Sequence, residues 1–138
     1  MCCDLTTERG VRRATKALGV ATFLFGLAPA VAPGYFARLV GIASAETGPA
    51  TLSVIRSVGI RDAVMGIGLL SAAMHGGRLG PWLMARTLMD AGDTLSVSLA
   101  FAHGDGNRRL AALGALAFAA TIADHALWHA ARRVTLKS

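Results

Sequence analysis

Charge and aromatic side chains are both scarce in this 138-residue chain: 16% of its residues are charged and 6% are aromatic. Soluble domains usually carry about a quarter of charged residues. The hydrophobic share is correspondingly high, 54%, with a mean hydropathy of +0.52. Such a composition excludes a disordered chain and argues against an ordinary soluble domain. Cysteine is confined to Cys2 and Cys3, adjacent and without a partner elsewhere, so no disulfide framework can form. No Gly-x-Ser-x-Gly elbow and no Walker-type phosphate loop is present. The apolar segments contain no glutamate, so the Glu-x-x-His pairs of di-metal bundles are missing too. An enzyme is therefore not the expected reading, and no cofactor or metal is expected.

What the chain does have is length in its apolar runs. Four segments stand out, at about 15–32, 52–74, 82–103 and 110–130. At 1.5 Å per residue, a run of 20 to 23 residues covers roughly 30–34 Å, enough to cross a bilayer core. The first is shorter and spans only if Thr15 and Lys16 snorkel. Pro29 and Pro33–Gly34 kink or end it, Gly48–Pro49 precedes the second, and Gly80–Pro81 opens the third. Alanine and leucine content with these lengths predicts helices, since strands would need much shorter runs. The expected fold is all-α: residues 1–138 form one four-helix integral membrane bundle. Ala28-x-Ala30 and Ala30-x-Ala32 resemble signal-peptide cleavage sites, but prolines occupy that window, and the first segment is expected to remain as span one.

The net charge of +6 follows the same pattern. Arg9, Arg12, Arg13, Lys16, Arg78, Arg132, Arg133 and Lys137 fall on the side shared by both termini; Arg38, Arg108 and Arg109 fall on the other. Eight against three places both termini in the cytoplasm. No basic run is interleaved with aromatics, so nucleic acid is not an expected partner. The bilayer is. Tyr35–Val40, between spans one and two, reads as an interfacial segment.

Charges also lie inside the spans: Arg56, Arg61, Asp62, Arg86, Asp90, Asp93 and Asp124. Each ion at a span centre costs about 2.5–3.5 kcal/mol on insertion scales. Four acids against three arginines nearly cancel, as a set of buried ion pairs should. On a helix, Arg86, Asp90, Asp93 and Val97 share an arc of about 60°. Gly59, Asp62 and Gly66 share another, bordered by Arg56, and small residues there allow close helix approach. Counted from the cytoplasmic ends, Arg61 lies level with Asp93, and Arg86 with Asp124 or, along its own helix, Asp90. Two roles are open for this buried polar network: a clasp that fixes helix register, or a cavity that binds an anionic or zwitterionic small molecule or relays protons. His125 and His129, one turn apart, lack the glutamate of a zinc hydrolase motif and read as headgroup-level residues.

Arg56-x-x-Gly59-x-Arg61-Asp62-x-x-x-Gly66-x-Gly68, then Trp82-x-x-x-Arg86-x-x-x-Asp90-x-x-Asp93 and a late Asp124, resembles an uncharacterised family of bacterial four-span membrane proteins, a domain of unknown function. That family is similar in layout to the DoxX-like membrane proteins. The resemblance covers about residues 15–130 and is most specific at the Arg–Asp motif of span two. It implies a multi-pass protein of the bacterial inner membrane and assigns no activity. The expected function is a small membrane protein with a buried Arg/Asp network. The alternatives are a small-molecule or proton-coupled carrier component, expected as a homo-oligomer because four short helices enclose little volume, and a redox accessory protein of DoxX-like type. The small-molecule ligand is not legible.

Overall fold

A computed structural model describes residues 5–42, 47–104 and 106–135. The described residues form five helices and no strand: α1 (Glu8–Val31), α2 (Pro33–Val40), α3 (Pro49–Met74), α4 (Leu79–Ala102) and α5 (Arg108–Thr135). Cys2, Cys3 and Lys137 lie outside the described residues. The all-α expectation holds. The helix count differs, because the Tyr35–Val40 stretch forms the short amphipathic helix α2, with Pro33, Ala37 and Val40 buried and Tyr35 and Leu39 exposed. Pro33 opens it, and Gly41, at φ 85°, closes it in the left-handed conformation that glycine adopts without strain.

Three helices, α1, α3 and α5, are long and apolar enough to cross a membrane. α4 does not reach that measure, because Arg86, Asp90 and Asp93 occupy its middle. Large apolar side chains point outward along all four long helices: Leu24 and Val31, Val54 and Val64, Leu88 and Leu95, Leu116 and Ile122 are each more than half exposed. In water such a surface would aggregate; against lipid it is ordinary.

The sequence builds two helix pairs. α1 and α3 run antiparallel at backbone contact. A Cβ placed on Gly19 would lie 2.9 Å from the Gly66 carbonyl oxygen, and one on Gly26 would lie 2.6 Å from that of Gly59. Thr15 and Thr22 lie on the same buried face of α1. The Thr15 hydroxyl donates to its own helix at Val11 O, 2.9 Å away. This small-residue seam is the usual close-packing device of membrane helices. α4 and α5 form the second pair, with Gly114 beneath Val97.

The two pairs meet at one end. Val11 of α1, Leu69 and Ala73 of α3, Leu79 and Leu83 of α4, and Leu127 and Ala131 of α5 form a single buried apolar cluster there. Arg12 ties that end together: its Nη1 donates to Ala72 O at 3.2 Å and Gly77 O at 3.5 Å, carbonyls at and beyond the last turn of α3. Towards the other end the pairs part. Gly68 and Val54 lie on one stripe of α3, 14 residues or nearly four turns apart. Trp82 covers Gly68, whereas Val54 is 64% exposed. On α4, Leu83 is fully buried, and Phe101, on the same stripe, is 43% exposed. At this far end α2 docks on α5: Asn107 caps α5 by accepting from Leu110 N at 2.9 Å, and Arg109 Nη1 donates to Arg38 O at 3.0 Å.

Candidate functional site

Six of the seven charges singled out in the sequence fall into two clusters, between the apolar cluster and the open end. The first spans α3 and α4. Arg61 donates from Nε and Nη2 to Oδ1 of its neighbour Asp62, at 3.1 and 3.0 Å. It also donates from Nη2 to Asp93 Oδ2 at 2.9 Å and from Nη1 to Asp93 Oδ1 at 3.3 Å. The second contact is a two-pronged grip that only a guanidinium can make. Asp62 is buried, but the Arg61 and Asp93 side chains are 37% and 38% exposed. This pair sits where α3 and α4 begin to separate.

The second cluster joins α4 to α5 and is closed to the outside. Arg86 Nη1 lies 2.8 Å from Asp90 Oδ1, one turn along the same helix. Its Nε lies 3.5 Å from Asp124 Oδ2 across the interface. Asp90 is 3% exposed and Asp124 is 2%. Asp90 Oδ2, Asp124 Oδ2 and Arg86 Nε, all buried, have no hydrogen-bond partner. Buried charges are otherwise found paired and fully bonded. Two carboxylates therefore share one guanidinium, with one negative charge in excess.

Arg56 takes no part in either cluster. It is exposed and donates from Nε to Ala30 O at 3.3 Å, a carbonyl in the last turn of α1. The remaining six charges are then two arginines against four aspartates. The interior carries an excess of two negative charges where the count with Arg56 gave one. That sign matters for chemistry. An anionic ligand finds no surplus of positive charge here, whereas a proton or a small cation does find a surplus of negative charge.

His125 and His129 come together, with their Nε2 atoms 3.1 Å apart, but they are exposed. Trp128 stacks on His125, and Arg132 lies 4.9 Å above the Trp128 ring. Among the described residues no group of three metal-ligating side chains exists.

Two features escaped the sequence reading. Gly19 and Gly26, with Thr22 between them, form the α1 half of the seam; their spacing of three and four residues was the available signal. The second is Arg12, which resembles any cytoplasmic flanking charge in sequence yet ties α1 to the end of α3.

The family described as Domain of unknown function (DUF4267) matches residues 19–129. The chain belongs to that family. The matched stretch of the DUF4267 domain runs from the first glycine of the α1 seam to His129 of α5, so it takes in both charge clusters. No curated protein and no solved structure matches the chain.

Proposed function

We propose that this chain is a small integral membrane protein of the bacterial inner membrane in which α1, α3, α4 and α5 cross the bilayer. The Arg86–Asp90–Asp124 triad holds an exchangeable proton and serves a proton-coupled carrier. One observation carries the reading: two buried carboxylates on different helices draw on a single guanidinium, and each keeps a buried oxygen without a hydrogen bond. Bare excess charge is the expensive state in low dielectric, and a proton is the smallest ion that removes it.

The crossing of α4 rests on the inward turn of its charges. Arg86 and Asp90 face one another and α5 rather than the outside, so the face left to lipid is apolar, as Leu88 and Leu95 illustrate. Cytoplasmic termini are supported by the excess of arginine and lysine at the end where α1 begins, α3 turns into α4, and α5 ends.

The Arg61–Asp62–Asp93 cluster fits a register clasp, being held by four hydrogen bonds within the protein. It stands at the parting of the helix pairs, next in line to the triad. No observation favours the redox reading.

The test is proton movement in proteoliposomes loaded with a pH-sensitive dye. Under an imposed pH gradient, the wild type should dissipate the gradient faster than Asp124→Asn, with both proteins folded and inserted to the same extent. Equal rates would remove the carrier reading.

A further inference from the structure

A pocket of about 420 Å³ opens at the end of the molecule where the four long helices close together, away from the charge clusters. Its walls come from the start of α1, the turn between α3 and α4, and the last turns of α5. Three arginines line it, Arg12, Arg78 and Arg132, against one carboxylate, Glu8. Glu8 is already taken by Arg12 Nε at 2.8 Å, and Arg12 is held further by the carbonyls of Ala72 and Gly77. Among the described residues no carboxylate pairs with Arg78 or Arg132. Arg132 is steadied over Trp128. The floor is apolar, with Val11 and Leu79 buried in the central cluster.

The backbone adds to the positive field. α4 begins at the pocket, and Arg78 at its N-cap supplies no side-chain hydrogen bond to the first turn. The leading N–H groups of a helix carry partial positive charge and accept anions. Glycines at positions 76, 77 and 80 keep this rim low, and a Cβ added at Gly76 or Gly80 would meet no atom within 4 Å.

We propose that this pocket binds a phosphate-bearing anion, with Arg78 and Arg132 as its ligands and Arg12 as a fixed wall. Two guanidiniums without a carboxylate partner among the described residues, above an apolar floor, match an amphiphile: a phosphate to the arginines, hydrocarbon to the floor. Basic pockets between membrane helices on the cytoplasmic side bind anionic lipid headgroups by this chemistry. A soluble phosphate would use the same two arginines without the floor.

The experiment measures the thermal stability of the purified full chain in detergent while one probe is titrated in. The probes are phosphatidylglycerol, cardiolipin, phosphatidylcholine and inorganic phosphate. The variants are Arg78→Gln, Arg132→Gln and, as a control outside the pocket on the same helix turn, Arg133→Gln. Stabilisation by phosphatidylglycerol or cardiolipin and not by phosphatidylcholine supports the proposal with a lipid as the source. Stabilisation by inorganic phosphate alone supports it with a soluble source. In either case the apparent affinity should fall about tenfold for each pocket arginine removed, as loss of a charge-assisted hydrogen bond implies. It should stay unchanged in Arg133→Gln. No stabilisation by any phosphate probe overturns the proposal. So does an equal loss in Arg133→Gln, which would mean diffuse attraction to a basic surface. Neither result bears on the buried triad.

Discussion

Asp90 and Asp124 stand on different helices yet depend on the same guanidinium: Arg86 lies 2.8 Å from one and 3.5 Å from the other. Asp90 Oδ2 and Asp124 Oδ2 are both buried without a hydrogen bond. The triad is thus unbalanced by construction, and removing its members should have unequal effects.

Arg86→Gln leaves two buried carboxylates without a counter-charge. The loss should approach the roughly 3–5 kcal/mol seen when a buried pair is broken. Asp124→Asn leaves Arg86 paired with Asp90 in a neutral interface, and should cost about 1 kcal/mol or less. Thermal unfolding in detergent compares the two. An Asp124→Asn loss as large as that of Arg86→Gln would mean that the charges are balanced by something other than a proton.

The α1–α3 seam allows no side chain. A Cβ on Gly59 would press on the Ala30 backbone and lie 2.6 Å from Gly26 O. Gly59→Ala should therefore destabilise by about 1–3 kcal/mol, the usual penalty of overpacking. Gly92 offers the opposite case: it lies inside α4, exposed, with no atom within 4 Å of an added Cβ. Gly92→Ala should be neutral or stabilise by up to about 1 kcal/mol, from helix propensity alone. The same unfolding measurement reads both. A tolerated Gly59→Ala would show that the helices do not touch there.

Much of this was legible because hydrophobic length and helical periodicity act locally. The apolar runs gave α1, α3, α4 and α5, and the stripe of Arg86, Asp90 and Asp93 lay on one face of α4 before any neighbour was known. α2 was read as interfacial without its helix, since eight residues are too few for periodicity to declare itself. Arg56 carried no signal of its own direction. Its partner is the Ala30 carbonyl, an acceptor present in every residue and exposed only because α1 ends at Val31. The α4 charges pulled against its length: they predict the face it must hide, and they also keep it from the apolarity of the other three helices.

Topology is open to a direct check. Reporter fusions at Arg78 and Ser138 should give a cytoplasmic signal, and one near Thr47 the opposite. A periplasmic signal at Ser138 with a cytoplasmic one at Arg78 would show that one of the four long helices does not cross.

The central claim is a proton held between Asp90 and Asp124. Infrared spectroscopy of the purified protein reads it through the carbonyl stretching band of a protonated carboxylic acid, which a carboxylate lacks. At neutral pH the wild type should show such a band. It should shift on transfer to deuterated water, because the proton is exchangeable, and it should vanish in Asp124→Asn. A wild-type spectrum without that band, or a band that survives in the double variant Asp90→Asn with Asp124→Asn, would contradict the account.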